Sequence, residues 1–216
     1  MNRSLLLASS LLLLASASTV ARAQFDVGHP DDDVWAYVHS GNPGGDPVIR
    51  LWGDGVNDLN PTGYPGTFET QPFYSYGFLS WDLRDVPRNW QWRGATITLT
   101  VTPDTNYDPQ RYDVYLRLLS DSFDEFTWIY GVGPYPIPGM NNRVRGDDSR
   151  AANGPGSTIT FRIPRNVPTN ILQSWARTGR MNLAITSNAE FASERQILRV
   201  ASEENAIYDG PRLVLD

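Results

Sequence analysis

Ala95-Thr96-Ile97-Thr98-Leu99-Thr100-Val101-Thr102 alternates an apolar residue with threonine without a break. Side chains of a β-strand point to opposite faces in turn. Ala95, Ile97, Leu99 and Val101 therefore enter one core, while four threonines line the other, wetter face. A strand of a parallel sheet is covered on both faces and reads as a continuous apolar run, so this alternation predicts an antiparallel sheet.

The same grammar extends in both directions from this strand. Val34 to Val38 and Val48 to Trp52 read as strands separated by the turn cluster Gly41-Asn42-Pro43-Gly44-Gly45. Tyr76 to Leu83 places Leu79, Trp81 and Leu83 on one face, and Asp113 to Leu119 turns Val114, Leu116 and Leu118 inward and Asp113, Tyr115 and Arg117 outward. Ser157 to Ile163 and Asn182 to Thr186 repeat the pattern, and two last strands fall near Ile197 to Ala201 and Arg212 to Leu215. One helix interrupts the series: Pro168 to Arg177 has Ile171, Leu172 and Trp175 at helical spacing and Gly179 where a C-cap belongs. Two long polar loops, Gly53 to Gln71 and Gly131 to Gly156, are candidates for function because loops of this length are uncommon in compact domains. The expectation is an all-β antiparallel sandwich with one short helix.

The first residues read as an export signal: Arg3, the apolar run Leu5 to Leu14, and Ala21-Arg22-Ala23 before Gln24. The run is about half the ~20 residues of a spanning helix, so no membrane anchor is expected. Residues 1–23 are assigned to the signal and 24–216 to a single domain, leaving about 190 residues, enough for a sizeable core. The expected location is the periplasm or the extracellular space. The chain has no cysteine, so packing rather than disulfides must hold it. Its net charge is −6, and every basic side chain is arginine. An acidic chain lacks the basic footprint that nucleic acid requires.

Several segments, in order, resemble one family. Phe78-Leu79-Ser80-Trp81-Asp82-Leu83-Arg84-Asp85-Val86-Pro87 followed by Gly94-Ala95-Thr96-Ile97 resembles the "F-D-L-S-x-I-P…G-A-x-I" core of DNRLRE-type domains. Phe123-Asp124-Glu125-Phe126-Thr127-Trp128 is similar to its "W-x-E…T-W" segment, with Phe123 at the first Trp, and Ile171-Leu172-Gln173-Ser174-Trp175 to its "L-V-Q-x-W" helix. Met181 to Ile185 resembles its "N-x-G-L-x-L" strand, and Ala201-Ser202-Glu203-Glu204 with Pro211 to Leu215 its "S-x-E…P-R-L-V-V" ending. The resemblance implies a jelly-roll-like β-sandwich of secreted and cell-surface bacterial proteins, among them carbohydrate-binding modules associated with alginate and other polysaccharides.

The residues offer little for catalysis. His29 and His39 flank Asp31-Asp32-Asp33, but the spacing fits no common zinc pattern and reads as a solvated N-terminal arm. Asp54, Asn57 and Asp58 are candidate ligands of a structural calcium ion, and the same residues read equally as Asx turns. No other cofactor is indicated. Asp124, Glu125, Glu203 and Glu204 are the carboxylates from which a glycosidase pair would be drawn, with a structural hydrogen bond or ion pair as the plainer reading. Sugar binding instead needs aromatic faces with planar polar groups beside them. Trp81, Trp128 and Trp175 occupy core-like positions, whereas Trp90, Trp92, Tyr115, Tyr130 and Tyr135 are candidate platforms, with Arg117, Arg143 and Arg145 for acidic sugars. The expectation is a non-catalytic polysaccharide-binding domain. A structural or adhesive surface protein is the alternative, and a polysaccharide lyase or hydrolase a further one.

Overall fold

The computed structural model describes residues 24–37, 40–43, 46–53, 75–103, 105–120, 123, 143–145, 154–188 and 196–216. Among these residues twelve strands and one helix follow one another: β1 Phe25–Gly28, β2 Asp32–Tyr37, β3 Ser40–Pro43, β4 Val48–Gly53, β5 Ser75–Asp82, β6 Ala95–Thr100, β7 Val114–Leu119, β8 Arg143–Arg145, β9 Thr158–Ile163, α1 Thr169–Thr178, β10 Arg180–Ser187, β11 Gln196–Ala201 and β12 Arg212–Leu215. One layer is a six-stranded sheet in the order β3-β2-β5-β10-β7-β8. The other combines β1-β12-β6-β9 with the pair β11-β4, joined where Val101 bridges Val200. Every strand pairing among the described residues is antiparallel. The chain is thus an antiparallel, jelly-roll-like β-sandwich with a single short helix.

Alternation builds the space between the layers. Ile97 and Leu99 of β6, Phe161 of β9, Leu213 of β12 and Leu198 of β11 meet Trp81 and Leu79 of β5, Leu183 and Ile185 of β10 and Leu116 of β7, each fully buried. Burying one such side chain contributes ~1.5–3 kcal/mol, so this shared core carries the fold. α1 ends where predicted: Gly179 adopts a left-handed conformation (φ 68°) and donates its N–H to the Trp175 carbonyl. Trp175 plugs that end of the sandwich, and its indole N–H donates to the Leu119 carbonyl at 2.8 Å.

Four expectations are corrected. The threonine face of β6 is wet only at its start: Thr96 and Thr98 are half-buried, but Thr100 and the following Thr102 are 8% and 2% exposed. The lead-in before Asp31 is not a solvated arm, because β1 pairs with β12 and His29 Nδ1 lies 3.0 Å from the Pro211 carbonyl. Ser40–Pro43, read partly as a turn, is an edge strand on β2, a place where proline's missing N–H is tolerated. Arg143–Arg145, read as loop, pairs with β7.

The six-stranded sheet is also covered on its second face. Val34, Tyr76, Phe78, Leu119 and Ala184 form a separate buried cluster, and Phe123 packs edge-on against Phe78 with 5.9 Å between ring centres. β5 and β10 consequently run buried along nearly their whole length.

Candidate ligand-binding site

The link between β5 and β6 is folded by two consecutive turns. Val86 N–H donates to the Leu83 carbonyl, and Trp90 N–H to that of Pro87. The second turn presses the Trp90 ring against Phe25 of β1, edge to face with centroids 6.0 Å apart. Gly94 then lets the chain enter β6: its φ is 143°, and a Cβ there would meet the Ile163 carbonyl oxygen at 2.8 Å. That close passage brings in the C-terminal residue, since Asp216 N–H donates to the Gly94 carbonyl at 3.0 Å and Gln24 Nε2 donates to Asp216 Oδ1 at 3.1 Å.

An open groove of about 500 Å3 results, lined by Pro87, Asn89, Trp90, Gln91, Arg93 and Asp216. Asn89, Gln91 and Arg93 are exposed at its rim, and Trp90 is half-buried. One aromatic ring among two amides, a guanidinium and a carboxylate matches the donor and acceptor pattern of sugar hydroxyls around a C–H face. The sequence pointed to this link through its tryptophans. It gave no sign of Asp216, which register alone delivers.

The other nominated residues lie elsewhere. Trp92 is half-buried and packs edge-on against Trp175 at 5.8 Å, as part of the core's end rather than an open platform. Tyr115 and Arg117 do lie on the outer face of the six-stranded sheet, opposite Arg145 and Arg143 of β8 in the ladder. That face is covered, however: Arg117 is 7% exposed and its Nε donates to Thr186 Oγ1 at 3.0 Å. Among the described residues, Trp90, Trp92, Tyr115 and Arg117 therefore share no single open face. Tyr130, Tyr135, Trp128, Asp54, Asn57, Asp58, Asp124 and Glu125 lie outside the described residues.

The acidic run is dismantled by its partners. Asp31 accepts the Asp82 N–H at 2.6 Å, Asp32 pairs with Arg180, and Asp33 accepts the Glu203 N–H at 2.7 Å. Among the described residues no three histidines, cysteines or carboxylates gather to hold a metal ion. No described helix is long and apolar enough to cross a membrane. Two aspartates are held below their ordinary range, the exposed Asp26 chiefly by its hydrogen bond from Arg212 and the half-buried Asp82 by that from Arg84.

Glu203 is pushed the other way, first by burial and then by the charges of Glu204 and Asp31. A carboxyl whose pKa is raised on folding binds more protons in the native state, so stability falls as pH rises from the ordinary value of 4.5 through the folded one. Glu203→Gln is expected to raise the melting temperature at pH 7 and to lose that advantage below pH 4.5. Thermal melts of both proteins from pH 3 to pH 8 (a range spanning the carboxyl titration) test this, and a gain independent of pH would refute the charge argument. No family model matches the chain, and no curated protein matches it either.

Proposed function

We propose that this protein is a secreted, non-catalytic polysaccharide-binding domain of DNRLRE-like type, with the Trp90 groove as its sugar site. The observation that supports the reading is the groove itself, where one indole lies among Asn89, Gln91, Arg93 and Asp216 on a rigid turn. Rings and planar polar groups held on an ordered scaffold bind a saccharide with little ordering cost. The apolar run followed by Ala21-Arg22-Ala23 supports export, and the absence of cysteine suits either side of the inner membrane.

Affinity electrophoresis through gels containing alginate, pectin or xylan tests the proposal. Retardation is expected in at least one gel. Gln91→Ala combined with Arg93→Ala, both exposed, should reduce it ~10-fold while leaving the melting temperature within ~2 °C. No retardation, together with self-association in solution, would replace this reading with a structural or adhesive surface protein. Release of oligosaccharides from any of the polymers would replace it with a lyase or hydrolase.

A further inference from the structure

A second groove, of about 480 Å3, opens over the β4–β11 pair. In that ladder Ile49, Leu51, Leu198 and Val200 turn into the core, so Arg50 and Arg199, direct partners in the register, stand side by side on the outer face. Thr102 completes the row: its N–H donates to the Arg199 carbonyl at 2.9 Å, and it follows the inward-facing Val101. Like charges placed directly opposite each other on a sheet are unfavourable unless something offsets them.

Asp46 Oδ2 lies 3.5 Å from the Arg50 guanidinium, which also sits over the Trp35 ring at 5.1 Å. Asp46 is already committed, accepting the Trp35 indole N–H at 3.0 Å and the Val48 N–H at 3.3 Å. Buried polar atoms without a hydrogen-bond partner line the groove. Arg50 Nε is buried with no acceptor, and so is the hydroxyl of Thr102, a residue only 2% exposed. Buried donors without acceptors are uncommon in native proteins and call for a partner.

The wall above this floor is built firmly. Asn205 ties it down, donating from Nδ2 to the Pro47 carbonyl at 2.7 Å and accepting the N–H groups of Ile207 and Tyr208 at 3.0 and 2.8 Å. That turn holds up Ile207, 84% exposed, beside the half-buried Tyr208. A cationic, donor-rich floor under an apolar wall suits one chemistry, a carboxylate carried on a compact body with an apolar face.

We propose that the Arg50–Arg199–Thr102 groove is a second ligand site, separate from the Trp90 groove, that binds such a carboxylate. The two guanidiniums and the threonine hydroxyl hold the carboxylate oxygens, and Ile207 and Tyr208 cover the body. Glu204, exposed on the rim, opposes the ligand's charge.

Calorimetric titration of the full chain with benzoate, galacturonate and the neutral benzamide tests this. Benzoate or galacturonate is expected to bind and benzamide not to. Binding of galacturonate alone supports the site with a sugar acid as its natural source, and binding of benzoate alone supports it with a non-sugar acid. Arg199→Gln should weaken the acid ~10-fold and Thr102→Val ~3-fold, while Glu204→Gln should tighten it ~3-fold. Glu204→Gln alters an exposed side chain and so keeps the test decisive if Arg199→Gln folds poorly. Binding of neither acid, equal binding of benzamide, or indifference of the affinity to Glu204→Gln would overturn the proposal. Gln91→Ala with Arg93→Ala should leave this binding unchanged, which separates its failure from that of the Trp90 groove.

Discussion

Trp81→Ala is expected to destabilise the protein by ~3–5 kcal/mol, the usual cost of emptying a large aromatic site in a packed core. Trp81 has no exposed surface and stands opposite Met181 in the β5–β10 ladder, on the inner face of the six-stranded sheet. Its indole N–H also donates to the Gly28 carbonyl at 3.1 Å, which ties the end of β1 to the opposite layer. The substitution therefore removes core volume and a tether between layers together. Trp81→Phe separates the two, because it keeps most of the volume but leaves the Gly28 carbonyl without its donor, at ~1–2 kcal/mol. Urea unfolding midpoints measure both variants, and amide exchange in β1 should quicken in Trp81→Phe more than in β9. Ile207→Ala is the control, expected within ~0.5 kcal/mol of the parent because Ile207 is exposed. A loss below ~1 kcal/mol for Trp81→Ala would contradict the packing described above.

The parts of this fold that were legible in the sequence are those whose pattern is local. Ala95 to Thr102 announced β6 because a half-buried strand writes its period of two into the sequence, and Gly179 announced the end of α1 because only a few residues accept its backbone angle. β1 and β3 lie at sheet edges and are only four residues long, too short for a period of two to stand out, so only pairing with β12 and β2 reveals them. The second covered face left a trace, since Tyr76 and Phe78 alternate with Leu79 and Trp81 along β5. Such a strand is apolar on both sides, the mark of burial between layers. The grooves were less legible. Trp90 drew notice by its type, but Asp216 reaches its groove from the other end of the chain. Arg50 and Arg199 are ordinary surface arginines until the register sets them side by side. The threonine face changed meaning for the same reason: Thr102 belongs to the alternation by sequence and to a groove floor by topology.

Asp31, Asp32 and Asp33 show how long-range pairing overturns a local reading, and Asp32 provides the second large test. A run of three aspartates reads as solvated, yet Asp32 and Asp33 are 7% and 4% exposed. Asp32 accepts a charged hydrogen bond from the Arg180 guanidinium, 148 residues away, and Arg180 Nε donates to Ser80 Oγ at 2.8 Å. Ser80 Oγ donates in turn to Asn182 Oδ1 at 2.8 Å, so one network ties β2, β5 and β10 together across the outer face of the sheet. Removing one partner of a buried ion pair strands the other charge at ~3–5 kcal/mol. The Arg180 side chain keeps 28% of its exposure, so water takes up part of that penalty and Asp32→Ala is expected to cost ~2–3 kcal/mol. Replacing both partners, as in Asp32→Leu with Arg180→Leu, strands no charge and should cost less than Asp32→Ala alone, giving a coupling energy above ~1 kcal/mol in the double-mutant cycle. Screening acts weakly on a pair with this little water around it, so the coupling should survive 0.5 M salt, where the Debye length is only ~4 Å. An exposed pair such as Asp26–Arg212, whose side chains are 47% and 58% exposed, should lose what coupling it has under the same conditions. Equal salt sensitivity of the two pairs would mean that the Asp32–Arg180 network lies in water, and the three strands it joins would be held by their ladder hydrogen bonds and apolar side chains without it.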